Sequence, residues 1–235
     1  RKLEDGNLCK DCARKLSPWF SERRNSSVNE IKRQLEYREE NRGRVEAFHI
    51  TRTLGSGTKL LLDEDAGLFM VTSAKNIAEA NPDVLALSDV TGCTLDVEES
   101  SKELLHEDKD GNEVSYNPPR YEYSYDFYII VNVNNPYFNE MRFRINPNSV
   151  EISPPPSIRP GVTLRFNPET NAEYKKYKQL GEEIRQILVK VRDDAREKIE
   201  QAAAPKTAVS CPYCGATTTP DASGCCEYCG GALMG

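Results

Sequence analysis

Six of the eight cysteines in this chain occur as Cys-x-x-Cys pairs, and this spacing is the clearest chemical signal in the sequence. A tight turn across such a pair aims both sulfur atoms at one ion. The two pairs near the C-terminus each carry a glycine directly after the second cysteine, where the turn needs a residue that tolerates positive φ. Together they supply the four-thiolate tetrahedral set that Zn²⁺ prefers. We therefore predict a zinc site formed by Cys211, Cys214, Cys226 and Cys229.

The neighbour of one predicted ligand is also a cysteine, so the third ligand has two candidates. Cys225 could replace Cys226 if the turn shifted, but only Cys226 keeps the Cys-x-x-Cys-Gly spacing, and we predict Cys226. Four cysteine ligands leave no open coordination position, so the zinc is expected to be structural rather than catalytic. The pattern resembles the zinc ribbon family over residues 210–232. A module this small has too little apolar surface to fold without its metal.

A third pair, Cys9 and Cys12, lies near the N-terminus. Two thiolates do not close a four-coordinate structural site. We predict that the other pair precedes Arg1; the alternative is that this pair holds no metal here. The run from Leu3 to Cys12 contains Asp-Gly-Asn-Leu-Cys-Lys-Asp-Cys and resembles the second half of a bacterial domain-of-unknown-function family, which opens with an upstream Cys-x-x-Cys. The resemblance implies that Cys9 and Cys12 are zinc ligands, and it implies no activity.

Composition and the pairing of the cysteines indicate the cellular compartment of the protein. No stretch approaches the ~18 to 20 consecutive apolar residues of a membrane span, and the polar N-terminus is unlike a signal peptide. Without an export signal, the paired thiolates favour metal binding in a reducing cytoplasm over disulfides. The net charge of −6 disfavours nucleic acid or an anionic membrane as partner. We predict a cytoplasmic protein without a transmembrane segment.

Between the cysteine-rich ends, the apolar pattern predicts a helix followed by many strands. Ser27 and Glu30 have the capping-box arrangement that begins a helix, and Gly43 is the expected stop or bend. From Phe48 onward, short strand-like runs alternate with turn residues. A long amphipathic helix is expected after Pro168. The predicted strands cover residues 47–54, 59–62, 68–72, 84–87, 90–97, 121–133 and 141–145.

Consecutive short antiparallel strands followed by one amphipathic helix resemble a pleckstrin-homology-like barrel, and the run from Leu85 to Cys93 is similar to the strand entry of bacterial members. The predicted fold is α+β. We expect an antiparallel pleckstrin-homology-like β-barrel or sheet capped by a long C-terminal helix, with small zinc-binding modules at both ends. The predicted segments are a partial zinc knuckle (1–22), a helix and linker (23–46), the pleckstrin-homology-like domain with its helix (47–200), a linker (201–209) and the zinc ribbon (210–235).

No catalytic constellation accompanies these elements. The two histidines, His49 and His106, lie in a predicted strand and an acidic loop, where a lone histidine more often packs or faces solvent. The chain has no nucleophile elbow, P-loop or dinucleotide-binding glycine motif. We predict that it is not an enzyme and that it has no catalytic or cofactor-binding residue besides the zinc ligands.

The leading functional hypothesis is a protein-interaction or scaffold module with an unidentified protein partner; formation of a homo-oligomer stays open. The acidic stretch at 63–113 is interpreted as a solvated face, the alternative being a docking surface for a basic partner. Peripheral membrane binding through lipid headgroups is an alternative function, but it needs clustered basic residues. Nucleic-acid binding is less favoured, because glutamates intersperse the basic residues of the first helix. Those residues are Lys32, Arg33, Arg38, Arg42 and Arg44.

Overall fold

Helices lie near both ends of the chain, with antiparallel strands between them. This arrangement is seen in a computed structural model, which describes residues 2–22, 24–153, 166–203, 209–219 and 224–233. The chain divides into two units, residues 1–195 and residues 196–235. The helices are α1 (Lys10–Lys15), α2 (Val28–Ala47), α3 (Ile77–Ala80) and α4 (Ala172–Ala203). The strands are β1 (Arg52–Leu54), β2 (Lys59–Asp63), β3 (Leu68–Thr72), β4 (Val84–Ala86), β5 (Val90–Glu107), β6 (Glu113–Val133), β7 (Glu140–Arg144), β8 (Val150–Ile152), β9 (Val209–Ser210) and β10 (Thr217–Thr218).

Helix α2 begins at the predicted capping box. The Ser27 hydroxyl accepts the backbone N–H of Glu30, and the Glu30 carboxylate accepts the backbone N–H of Ser27 at 2.7 Å. The capping box is therefore confirmed. The helix does not stop at Gly43, because it runs through this residue to Ala47, and the alternative of a bend stays a prediction. A glycine inside a helix costs only about 1 kcal/mol relative to alanine, and packing of the neighbouring Val45 against the sheet offsets that cost.

The strands of the first unit form two antiparallel sheets and not a closed barrel. One sheet has the order β1-β2-β3-β4, and the other has the order β5-β6-β7 with β8 also paired to β6. After β4 the chain makes a 3-10 turn (Leu87–Asp89) and enters β5, so it leaves one sheet and starts the other without pairing β4 to β5. The α+β class, the antiparallel sheets and the C-terminal helix are confirmed, whereas barrel closure is corrected.

The two central strands of the first sheet, β2 and β3, are buried on both faces. Leu60 and Leu62 belong to the main core, which the second sheet and α4 also line. Leu61 and Met70 point the other way and form a smaller cluster with Val45 of α2. Because successive side chains of a strand face opposite sides, a sheet covered on both faces needs unbroken apolar runs. This requirement explains why β2 and β3 lack the usual alternation of apolar and polar residues.

The hairpin of β5 and β6 is much longer than predicted. Its ladder continues from Val90 paired with Val133 out to Glu107 paired with Glu113. Strand β8 reaches only as far as Tyr123 on β6. Residues 102–122 therefore extend beyond β8 as a two-stranded ribbon, which we call the arm. The turn at its end contains Gly111, whose φ of 81° favours glycine.

Helix α4 covers the second sheet with the apolar face that the sequence predicts. Tyr174, Tyr177, Ile184 and Leu188 are all buried in the main core. On the same side of the helix, a Cβ placed on Gly181 would lie 2.5 Å from Cδ1 of Leu95. The absence of a side chain at this position lets α4 approach β5. None of the helices in the described part of the chain has the length and apolar character of a membrane span.

Replacing Gly181 with leucine is expected to lower the free energy of unfolding by about 1–3 kcal/mol, because the added side chain overpacks the contact with Leu95. The matched variant is Gly43→Ala in α2, where no atom lies within 4 Å of the added Cβ. That variant is expected to raise the free energy of unfolding by up to about 1 kcal/mol through helix propensity. Urea unfolding of both variants measures the difference. Equal effects at the two glycines would contradict the close approach at Leu95.

The predicted segment boundaries stay predictions. The predicted linker at 201–209 lies partly outside the described residues, which stop at Ala203 and resume at Val209. Residues 201–203 belong to α4, and Val209 begins β9.

Candidate metal centre

The first half of the centre is a tight turn that carries Cys211 and Cys214. The N–H of Cys211 donates to the carbonyl of Ala216 at 2.8 Å, and the N–H of Gly215 donates to the carbonyl of Cys211 at 2.9 Å. Gly215 has a φ of 72°, which favours glycine over residues with a Cβ. The strands β9 and β10 pair on either side of the turn. These backbone hydrogen bonds fix the turn that carries the two cysteines.

The second half of the centre has the same two backbone hydrogen bonds as the first. The N–H of Cys226 donates to the carbonyl of Gly231 at 2.8 Å, and the N–H of Gly230 donates to the carbonyl of Cys226 at 2.8 Å. Gly230 has a φ of 70°, close to that of its counterpart in the first knuckle. The two glycines that follow the Cys-x-x-Cys pairs therefore have the conformation that the sequence predicts for them.

The two knuckles bring four sulfur atoms together. The Sγ atoms of Cys211 and Cys229 lie 3.6 Å apart, and those of Cys214 and Cys226 lie 3.7 Å apart. All four Sγ atoms lie within 4.8 Å of one another. A tetrahedral zinc ion with Zn–S bonds of about 2.3 Å separates its sulfurs by roughly 3.8 Å. The residues thus fit a four-coordinate metal ion, with two ligands buried and two exposed.

The thiols of the cluster perturb one another. Burial raises the pKa of Cys211, but the backbone N–H groups of Cys214 and Tyr213 stabilise its thiolate, and the pKa falls to about 7. The N–H of Gly231 lowers the pKa of Cys229, but the neighbouring thiols outweigh it and raise that pKa to about 12. Several thiolates this close together repel one another, and a bound divalent cation is what offsets such repulsion.

Cys225 lies outside the cluster. It forms an isolated bridge with Ala232, and the N–H of Leu233 donates to the carbonyl of Gly224 at 2.9 Å. In the first knuckle the corresponding position is Ser210, which pairs with Thr217. Cys225 therefore precedes the turn, and the structure brings Cys226 into the cluster, as the Cys-x-x-Cys-Gly spacing predicts.

The N-terminal pair lies at the start of α1. Cys9 is the N-cap of this helix, and its Sγ accepts the backbone N–H of Cys12 at 3.2 Å. That hydrogen bond lowers the pKa of Cys9, while the Cys9 thiol raises the pKa of Cys12. Within the described residues, no third His, Cys, Asp or Glu joins the pair in a cluster like the C-terminal one. The structure thus shows two predicted ligands side by side and leaves their role as zinc ligands a prediction.

A second group of side chains of types that can bind a metal ion lies at the β2–β3 turn. His49, Asp63 and Asp65 approach one another closely enough to meet at an ion. Both carboxylate oxygens of Asp63, however, already accept backbone N–H groups, from His49 at 2.9 Å and from Ala66 at 3.0 Å. His49 and Asp65 are largely exposed, and Nδ1 of His49 lies 3.9 Å from Oδ2 of Asp65. This group is explained by turn geometry, because Asp63 organises the backbone on both sides of it.

A buried polar network fastens the N-terminal cysteine segment to the first sheet. Asp83 accepts the Ser17 hydroxyl at 2.7 Å and an Arg38 guanidinium N–H at 2.7 Å. Arg38 also donates to the carbonyl of Lys15 at 3.2 Å and to the carbonyl of Asn81. Sequence reasoning missed this network, since its members come from three distant stretches and share no motif.

The same network changes the interpretation of α2 as a basic surface. Arg38, one of the basic residues considered for nucleic-acid contact, is buried and has all three donor nitrogens engaged. Arg42 is paired with Glu39 of the same helix at 3.1 Å. Two of the five candidate cations of this helix therefore already have partners in the folded chain.

One family model matches the N-terminal residues of the chain. Residues 1–34 match the family model described as "Domain of unknown function (DUF4428)". The match spans Cys9, Cys12 and the beginning of α2, and it confirms the resemblance of the N-terminus to a domain of unknown function. No curated protein and no solved structure was found to match the chain. The family match names no activity, so any function must be argued from the geometry.

Proposed function

We propose that this chain is a non-enzymatic zinc-binding protein whose role is to contact another protein. The observation that carries the proposal is the four-sulfur cluster at the C-terminus. Four thiolates around one ion leave no position for a substrate or a water, so a metal held there stabilises structure and does not catalyse a reaction. The described part of the chain offers no other ligand cluster suited to a catalytic metal.

Zinc is the metal that this donor set favours. A tetrahedral set of four thiolates selects zinc or iron–sulfur chemistry over magnesium, calcium or manganese, and the two-knuckle spacing is typical of structural zinc sites. Free thiols and zinc thiolates persist in a reducing compartment. These points support the proposal that the protein works in the cytoplasm.

The surface of the zinc module supports a protein partner. Tyr213 and Tyr228 occupy the same position in the two knuckles, and they are 72% and 74% exposed. Exposed aromatic side chains are enriched at protein interfaces. The sequence after Lys206 contains no lysine or arginine to neutralise phosphates, so nucleic-acid binding there lacks its main source of affinity.

The first unit supports the same class of function. Two antiparallel sheets with one helix packed on the core are compatible with a pleckstrin-homology-like domain, and we propose that relationship on architecture alone. Lipid headgroups are the weaker alternative ligand. The turn between β2 and β3 presents Glu64 and Asp65, where a headgroup site of this kind would need basic residues.

Affinity capture with the full chain tests the proposed role. We expect the wild-type chain to capture one or a few proteins reproducibly from its host, and the variant Tyr213→Ser/Tyr228→Ser to lose them while keeping its zinc. Retained zinc shows that the module is still folded. The control variant Ile50→Ser removes an exposed apolar side chain from the first unit. Capture that is absent, or unchanged by the paired tyrosine substitution, would argue against a partner at the zinc module.

A further inference from the structure

Strand β5 presents a long edge on one side. It pairs with β6 over its whole length, and in the described residues it has no second neighbouring strand. Alternate residues of such a strand direct their backbone N–H and C=O groups away from the partner strand. An exposed edge of this kind is a template for a further strand. Beyond β8, moreover, the described residues supply only two strands to the arm (102–122), and an isolated hairpin is marginally stable in water.

The side chains along this edge are acidic. β5 carries five carboxylates against one lysine: Asp96, Glu98, Glu99, Glu103 and Glu107 against Lys102. Arg142 of β7 pairs with two of them, Glu98 at 2.7 Å and Asp96 at 3.3 Å. No basic side chain in the described part of the chain forms an ion pair with the other three.

Tyrosines lie beside these carboxylates on the same face of the hairpin. In the register of the ladder, Glu103 is opposite Tyr121 and Glu99 is opposite Tyr125. Tyr121 is 40% exposed. Directly opposed residues of an antiparallel pair lie on one face of the sheet. At Glu103, a lysine or arginine arriving next to β5 would therefore find a carboxylate for its charge and the exposed ring of Tyr121 for its aliphatic stem. Tyr125, beside Glu99, is buried in the main core and offers no such contact.

We propose that the free edge of β5, from Asp96 to Glu107, binds an extended basic segment of a partner protein as an added antiparallel or parallel strand. This surface lies in the first unit and goes beyond the proposed role of the zinc module. Backbone hydrogen bonds supply the affinity of such strand addition, and alternate side chains supply the specificity. A second copy of this chain does not fit the edge, because pairing β5 with β5 would set like charges against each other.

The probe is a synthetic peptide of about ten residues in which lysine alternates with valine, a pattern suited to a half-buried strand. Its binding to the full chain is measured by fluorescence anisotropy. We expect binding that weakens as salt is raised from about 50 mM to about 300 mM, since exposed charges are then screened. A second peptide of the same sequence, N-methylated at alternate backbone positions, keeps the charge but lacks the N–H donors. We expect it to bind at least about tenfold more weakly, because strand addition depends on those donors.

Protein variants give an independent test. The double variant Glu103→Lys/Glu107→Lys is expected to weaken the lysine peptide at least about tenfold through charge reversal. The matched variant Glu40→Lys/Glu46→Lys makes the same charge change at two exposed positions of α2 and is expected to change the dissociation constant less than about twofold. Amide hydrogen exchange of β5 should slow on binding.

Three results would overturn the proposal: no binding of the lysine peptide, equal binding of the N-methylated peptide, or equal weakening by the two double variants. Equal binding of the N-methylated peptide would mean charge attraction without strand addition. Loss of this binding with intact tyrosine-dependent capture would leave the role of the zinc module standing, so the two proposals fail separately.

Discussion

The variant Cys226→Ser is expected to lose one zinc ion per chain and to unfold the C-terminal module, with the fold of residues 1–195 unchanged. Serine is a poor ligand for zinc at neutral pH, and three thiolates with an open position no longer form a closed structural site. A structural zinc contributes on the order of 10 kcal/mol to the folding of so small a module. Apolar burial does not replace that contribution: the buried residues of the module include two of the cysteines themselves, Cys211 and Cys226.

The matched control is the adjacent residue. Cys225→Ser removes a thiol of the same chemistry one position away, where the structure places a bridge to Ala232 instead of a ligand. We expect this variant to keep its zinc and its folded module. Native mass spectrometry counts the zinc ions, and limited proteolysis followed by mass analysis locates the unfolded segment. If Cys225→Ser lost the metal and Cys226→Ser kept it, the assignment of the third ligand would be reversed.

A second control separates the two ends of the chain. Cys9→Ser/Cys12→Ser alters the N-terminal pair and is expected to leave the zinc of the C-terminal module in place. The two pairs are served by different backbone turns, so their metal occupancy should vary independently. Loss of all bound zinc in this variant would show that the N-terminal thiols contribute to the only metal site.

Local chemistry explains why the metal centre could be predicted from the sequence. Each knuckle is defined by a few consecutive residues, and a glycine with positive φ closes it. The choice between Cys225 and Cys226 followed from the same short pattern. The capping box at Ser27 was predictable for the same reason, since both of its hydrogen bonds join residues three apart. Features of this kind depend on residues that are close together in the chain, so they can be predicted from the sequence alone.

Features that depend on distant partners could not be predicted in the same way. The outer part of β5 is mostly polar, and its two leucines, Leu104 and Leu105, are adjacent and face opposite sides. It therefore shows no apolar alternation, and only its pairing with β6 makes it a strand. Barrel closure likewise depends on whether the edge strands of a sheet pair with each other. The apolar pattern of the predicted strands was consistent with a barrel. That pattern does not reveal that the chain passes from the first sheet to the second at the 3-10 turn after β4. Arg38 was predicted to be a surface cation because its charged neighbours gave no sign of the buried Asp83.

Breaking the pair between Arg38 and Asp83 is expected to have the second largest effect. Both side chains are almost fully buried: 7% of the Arg38 side chain and none of the Asp83 side chain is exposed. Asp83→Ala would leave the Arg38 guanidinium in the interior without its counter-charge, and Ser17 without its acceptor. Removal of one partner of a buried ion pair typically costs about 3–5 kcal/mol. We expect a loss of that size in the free energy of unfolding of the first unit.

The double variant Arg38→Met/Asp83→Ala should be less destabilised than Asp83→Ala. Burial raises the pKa of Asp83, although Arg38 and Ser17 act to lower it. Desolvation of the carboxylate therefore outweighs the attraction that Arg38 and Ser17 exert on its charge. Removing both charges removes that cost along with the attraction. The main effect of the pair would then be to position the Arg38 side chain, which also donates hydrogen bonds to the carbonyls of Lys15 and Asn81.

Urea unfolding of the full chain, followed through the single tryptophan, measures these differences. Trp19 is a suitable reporter because its backbone N–H donates to the Ser17 hydroxyl at 3.1 Å, next to the network. Arg42→Ala is the control for an exposed ion pair and is expected to change the free energy of unfolding by less than about 1 kcal/mol. If Asp83→Ala cost no more than Arg42→Ala, the network would not fasten the cysteine segment to the sheet. Segment 2–22 would then be held by its apolar cluster of Leu3, Leu8, Leu16 and Phe20 against Ile31 of α2.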